Sequence, residues 1–193
     1  RLIVRLRPCS KLFAFPFSGK SAARRGCLRL QKNGRLTVRK LKMKNVWTIL
    51  LAAGQGARLS RETGGVRKQF LSFEGAPLYW RSVRTFAAMP GLSGIVAVFP
   101  EMELTRCVEE LSALKAADPP GVPVLAVAGG ERRQDSVRLG LAALPSSCSH
   151  VFVHDSARPF FSARLLQRLL DGLTGDAHGV IPAIPVKDTI KEC

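Results

Sequence analysis

The 193-residue sequence predicts a three-layer α/β/α fold around a mostly parallel sheet, and two observations carry the prediction. Short apolar runs alternate with longer segments whose apolar residues recur every three or four positions. Strands alternating with amphipathic helices bury both faces of a parallel sheet. The composition, 46% hydrophobic and 23% charged, also supplies enough apolar material for one core and is not that of a disordered chain.

Taken in order, the first strand is the apolar run 46–53, which ends at Gly54. A helix is expected over 77–89, followed by a strand at 94–99 and a helix over 102–117. A strand at 122–128 then leads into a helix over 135–144. A strand at 150–154, a helix over 162–173 and a strand at 179–184 complete the pattern. No apolar run approaches the roughly 20 residues that a membrane-spanning helix needs.

The formal net charge of +16 resembles that of a nucleic-acid binder until it is divided along the chain. Residues 1–45 hold 14 of the 30 Lys+Arg and none of the 14 Asp+Glu, so residues 46–193 carry 16 basic and 14 acidic residues, a net of +2. The basicity belongs to an extension expected to lie outside the fold, with residues 46–193 as the folded domain. A polybasic arm gives at most non-specific, salt-sensitive nucleic-acid attachment, and the near-neutral body argues against a specific nucleic-acid ligand. Residues 1–45 lack the clean apolar stretch of a secretory signal. The five cysteines show no C-x-x-C pair, which points to a reducing compartment rather than a disulfide framework or zinc site. A cytoplasmic location follows, with a plastid as the alternative if the arm is a transit peptide.

Three loops after strands carry the chemistry. The first is Ala52-Ala53-Gly54-Gln55-Gly56-Ala57-Arg58-Leu59, with Arg67-Lys68-Gln69-Phe70 further on. Glycines directly after a strand let backbone N–H groups approach a phosphate. Leu59 stands where a dinucleotide fingerprint needs its third glycine, and the P-loop pattern is absent. Arg58 and Lys68 are then either cations for a polyphosphate whose charge grows during reaction or solvated surface charges.

The second loop is Gly129-Gly130-Glu131-Arg132-Arg133-Gln134-Asp135-Ser136-Val137. Asp135 or Ser136 is a candidate helix cap, and the exposed amides with the Ser136 hydroxyl suit recognition of a nucleobase. The third is His154-Asp155-Ser156-Ala157-Arg158-Pro159. A strand-end carboxylate beside a phosphate loop suits Mg²⁺, which takes carboxylate and phosphate oxygens. Arg158 is equally suited to pairing with Asp155, and His154 to packing in the core.

Together with Pro185-Val186-Lys187-Asp188-Thr189-Ile190-Lys191, these motifs resemble the 2-C-methyl-D-erythritol 4-phosphate cytidylyltransferase family over almost all of residues 46–193. The resemblance implies a Rossmann-like nucleotidyltransferase fold, and an enzyme joining CTP to 2-C-methyl-D-erythritol 4-phosphate with release of pyrophosphate, a step of non-mevalonate isoprenoid synthesis. It implies Arg58 and Lys68 as catalytic cations. Ala53, Gly54, Gly56, Gly130, Arg133, Ser136 and Ser156 fall around the nucleotide. Asp155, Arg158 and Thr189 fall on the substrate side, and Asp155 also takes Mg²⁺. Ribitol-5-phosphate cytidylyltransferases share part of the pattern and are the nearest alternative, followed by an inactive nucleotide-binding fold.

Two departures from the family pattern stand out. Arg67 replaces a proline that usually precedes the lysine, after a longer loop. The chain also stops at Cys193, before the dimerising arm and further substrate-side residues that family members carry. A homodimer, a fusion to a second pathway enzyme and weak activity of the 193-residue piece are the corresponding expectations.

Overall fold

The computed structural model describes residues 2–5, 45–54, 66–173 and 177–185. In chain order the strands are β1 (Leu2–Arg5), β2 (Val46–Leu51), β3 (Ser72–Phe73), β4 (Ala76–Pro77), β5 (Leu92–Phe99), β6 (Val124–Ala128), β7 (His150–Asp155) and β8 (Gly179–Val180). The helices are α1 (Leu78–Ala87), α2 (Leu104–Ala117), α3 (Arg133–Ala142) and α4 (Ala163–Asp171). Six strands form the main sheet in the order β6-β5-β2-β7-β1-β8, while β3 and β4 form a separate hairpin.

The four strands β6, β5, β2 and β7 are mutually parallel, and β1 runs antiparallel to both β7 and β8. Side-chain alternation divides the core into two layers. Val46 and Leu50 of β2, with Ala52 just after it, join residues of α1, α2 and α4 on one face. Trp47, Ile49 and Leu51 point to the other face, where Val137 and Ala143 of the α3 segment pack. All six residues of β2 are buried, which is why this run is apolar at every position but Thr48 rather than alternating. This is the three-layer α/β/α arrangement that the sequence pattern predicts.

Helix details follow from local chemistry. In α1, Tyr79, Val83 and Phe86 recur at helical spacing and are all buried. The Ser162 hydroxyl caps α4 by accepting from the Leu165 N–H at 3.3 Å. A Cβ added at Gly140 of α3 would lie 2.7 Å from Ile49 Cγ2, so glycine is what lets this helix sit close to the sheet.

Three expectations change. The first is that residues 1–45 stand outside the fold. Leu2–Arg5 instead forms a strand between β7 and β8, with Ile3 fully buried. The apolar Leu2-Ile3-Val4 run suits a slot that offers ladder partners on both sides. Residues 6–44 lie outside the described part. Second, the strand expected over 179–184 is two residues long, because Pro182 has no N–H to give a ladder. Third, the β3–β4 hairpin was not anticipated. Its turn holds Glu74 at φ 54° and Gly75 at φ 79°, and the first of these lacks the Asn or Asp that announces such turns.

Cys107 and Cys148 are free and buried, and burial raises both thiol pKa values. Thiolate is the reactive form. Alkylation of the native protein, mapped by mass spectrometry, is therefore expected to spare Cys107 and Cys148 until denaturant is added.

Candidate active site

The strand order places a crevice at a defined point. From β2 the chain moves outward to β5 and β6, then crosses back so that β7 pairs with the other side of β2. Loops leaving β2 and its neighbours therefore diverge at the carboxyl ends of the strands, where open α/β sheets bind ligands. A cavity of about 250 Å³ lies there. It is lined by Ala53 and Gly54 after β2, by Gly130 to Arg133 and Ser136 at the start of α3, and by Asp155 to Ala157 after β7.

Each loop is tied to a strand end. The Ala52 N–H donates to the Val98 carbonyl at 2.8 Å, and the Gly129 N–H to the Phe99 carbonyl at 2.7 Å. Ser156 donates twice to the Leu51 carbonyl, from its N–H at 3.0 Å and its hydroxyl at 2.7 Å. The buried Ser156 side chain thus straps the β2 and β7 loops together, and its proton is committed to that bond. The Ser136 hydroxyl accepts from the Gly130 N–H at 3.2 Å. Gly129 lies against Ala53, and a Cβ there would fall 2.5 Å from the Ala53 Cβ.

Neither Asp135 nor Ser136 is the residue preceding α3, as the capping expectation had it. Arg132 occupies that position, and Asp135 reaches back to accept from the Arg132 N–H at 3.3 Å. Its carboxylate also takes Arg132 Nε at 2.9 Å and Nη2 at 3.2 Å, and this pairing holds the Asp135 pKa below the usual carboxylate range. The neighbouring guanidinium crosses the cavity. Arg133 Nε lies 3.0 Å and Nη2 2.9 Å from Asp155 Oδ1. Arg133 is thus a partner of the Asp155 carboxylate; Arg158 donates its backbone N–H to the Asp155 carbonyl at 3.0 Å, and its side chain is exposed. His154 is buried against Phe86 and Phe161, with ring centroids 5.4 and 4.5 Å away, consistent with the packing reading.

Lys68 is exposed on a single 3-10 turn, Lys68–Phe70, next to the cavity-lining Gln69. Arg67, in the place of the expected proline, pairs with Glu103 at 2.9 Å, and Glu103 also binds Arg106. The Arg106 guanidinium lies over the Phe70 ring, 5.0 Å from its centroid. Gln69 entered the sequence reading only as part of a run. Its carboxamide nitrogen donates to the carbonyls of Ala52 and Gly54, both at 2.8 Å. Such pairing across 15 and 17 residues leaves no trace in local sequence. Arg58, Gly56 and Thr189 lie outside the described residues.

The cavity is bounded by the amino end of a ten-residue helix and lined by Arg132 and Arg133, which suits it to an anionic ligand. Among the described residues no three His, Cys, Asp or Glu side chains gather into a metal cage. Asp155 offers a hard carboxylate at the cavity wall, which Glu131 also lines. That donor set fits a cation that takes its other oxygens from phosphate and water.

Comparison with known proteins identifies the family. The 2-C-methyl-D-erythritol 4-phosphate cytidylyltransferase (IspD) family model matches residues 46–193. The bifunctional enzyme IspD/IspF of Solidesulfovibrio magneticus is 49% identical over 148 residues, which cover 77% of this chain and 37% of that protein. The 2-C-methyl-D-erythritol 4-phosphate cytidylyltransferase of Solibacter usitatus is 37% identical over 151 residues, covering 76% of this chain and 60% of that one. A crystal structure of 4-diphosphocytidyl-2C-methyl-D-erythritol synthase shares the fold, with a TM-score of 0.59 at 24% identity over 78% of this chain and 64% of its own. The chain spans little more than a third of the bifunctional relatives it matches. From the match over residues 46–193 and the relatives' identity, the chain belongs to the 2-C-methyl-D-erythritol 4-phosphate cytidylyltransferase family.

Proposed function

We propose that this chain forms the nucleotide-handling part of an enzyme that transfers CMP from CTP to 2-C-methyl-D-erythritol 4-phosphate and releases pyrophosphate. The observation that carries the reading is the meeting of three strand-end loops on one cavity at the switch point of the sheet. The family match supplies the base and the acceptor.

In this reading, an oxygen of the acceptor phosphate attacks the α-phosphorus of CTP in line. The bond from that phosphorus to the oxygen bridging to the β-phosphate breaks, and the electron pair leaves with pyrophosphate. The nucleophile is already an anion near neutral pH, so catalysis is positioning and charge stabilisation. Ala53, Gly54, Gly130 and Ser136 border the nucleotide. Arg133 pins the Asp155 carboxylate at the cavity wall in the absence of ligand. Lys68, with Arg58, meets the charge that builds on the transferring group. Arg158 positions the β7 loop. The roles of Arg58, Gly56 and Thr189 rest on the resemblance. Mg²⁺ held by Asp155 and the CTP phosphates would neutralise the leaving pyrophosphate.

A cytoplasmic protein is supported by the free thiols of Cys107 and Cys148. No described helix is long and apolar enough to cross a membrane. A homodimer is the assembly that the family resemblance supports.

The test has two parts. Calorimetric titration of this chain with CTP, ATP, GTP and UTP in the presence of Mg²⁺ is expected to show a preference for CTP. Pyrophosphate release with 2-C-methyl-D-erythritol 4-phosphate is then measured for the chain as it stands. It is also measured for the chain joined to the downstream segment of the Solidesulfovibrio magneticus relative. Release by the joined protein that is absent with ribitol 5-phosphate supports the assignment. Release with neither acceptor overturns it.

A further inference from the structure

Lys68 sits between two anchored neighbours. On one side Arg67 is held by Glu103. On the other, Gln69 is 3% exposed and reaches into the turn that follows β2. Its carboxamide has one nitrogen with two protons, and the structure sets that nitrogen 2.8 Å from each of two carbonyl oxygens, on Ala52 and Gly54. Two acceptors facing one amide require its NH₂ end, because the carbonyl end turned there would put oxygen against oxygen.

The two carbonyls flank Ala53. Holding both fixes the peptide plane between Ala52 and Ala53, with the Ala53 N–H on it, and the direction of the Gly54 carbonyl. The same side chain lies one residue from Lys68, on a single 3-10 turn whose Phe70 ring packs beside Tyr79 and Phe99. One carboxamide therefore sets both the shape of the glycine turn and its distance from the lysine.

We propose that Gln69 is a positioning residue: it holds the Ala52–Gly54 turn in the shape that receives the nucleotide phosphates and keeps Lys68 in register with it. This inference rests on the nucleotide-binding reading of the cavity. It adds a residue to which that reading gives no role. Gln69 touches no reacting atom and acts through the turn and through Lys68.

Gln69→Leu keeps most of the volume and removes both donors, leaving two buried carbonyls without their partner. Gln69→Glu replaces donors by a carboxylate that repels the same two oxygens. Leu111→Ala on α2, a buried core truncation, serves as a control that lowers the melting temperature without touching the turn. Two measurements are made on each full chain: amide hydrogen exchange of the peptide covering the turn, without nucleotide, and the dissociation constant for Mg-CTP.

Both Gln69 variants are expected to exchange roughly tenfold faster at the turn and to bind Mg-CTP roughly tenfold more weakly, while Leu111→Ala keeps wild-type values in both. Unchanged exchange at the turn overturns the proposal. So does faster exchange with unchanged CTP affinity, or a loss of affinity that Leu111→Ala shows equally. A wild-type chain that fails to bind CTP overturns the nucleotide reading instead, and the exchange data then decide by themselves whether Gln69 holds the turn.

Discussion

Gly129→Ala is expected to lose most nucleotide binding and to melt about 4–8 °C lower than the wild type, a shift that follows from roughly 2 kcal/mol of overpacking in a domain of this size. The added Cβ would lie 2.5 Å from the Ala53 Cβ, 2.9 Å from Ser136 Oγ and 3.2 Å from the Phe99 carbonyl oxygen. None of these is the free end of a flexible side chain. Ala53 lies two residues past the end of a fully buried strand, the Ser136 hydroxyl is bonded to Gly130, and Phe99 O accepts from Gly129 itself. Relief therefore moves the β2 and β6 loops apart, and these are two of the three loops lining the cavity. A displacement of about 1 Å in a positioned site costs on the order of 10²-fold in rate. Thermal melting followed by circular dichroism, with CTP titration on the same sample, checks both halves. A variant that melts normally and binds CTP normally would show that the two loops have slack that their contacts do not reveal.

Asp155→Ala should do the reverse, leaving the fold intact and removing turnover. Its carboxylate pairs with Arg133, but both side chains remain open to solvent, and an exposed ion pair is worth only about 0–1 kcal/mol. The melting temperature should move by no more than a few degrees. Turnover should fall on the order of 10²–10³-fold, the usual cost of deleting one group that stabilises developing charge. Pyrophosphate release by the joined protein, scanned over Mg²⁺ concentration, is the measurement. Activity within tenfold of wild type at every Mg²⁺ concentration would remove Asp155 from the chemistry.

The legible parts of this molecule are those whose physics is local. Runs such as Val46-Trp47-Thr48-Ile49-Leu50-Leu51 announce a central strand because both faces of that strand are buried. The loop after each such strand is then placed at the crevice by topology alone. What escaped reading depends on distant partners. Leu2-Ile3-Val4 was read as part of a basic arm, since the charge of residues 1–45 outweighs three apolar residues until β7 offers a ladder. The resemblance places Ser156 around the nucleotide, and only the 105-residue link from its hydroxyl to the Leu51 carbonyl shows that its proton is taken. Asp155 and Arg133 were assigned separate duties, yet 22 residues apart in sequence they meet on one oxygen.

The cavity floor is built from β2 and β7, neighbours that pair along their whole lengths, with β5 and β1 closing their outer sides. Almost every residue of the two strands is buried. A floor so placed has no private melting transition, because exposing it means parting the centre of the sheet, which is the domain's cooperative unit. Heat inactivation that starts at this floor should therefore coincide with global unfolding. Substitutions that soften ligand binding without softening the protein must lie in the loops above it.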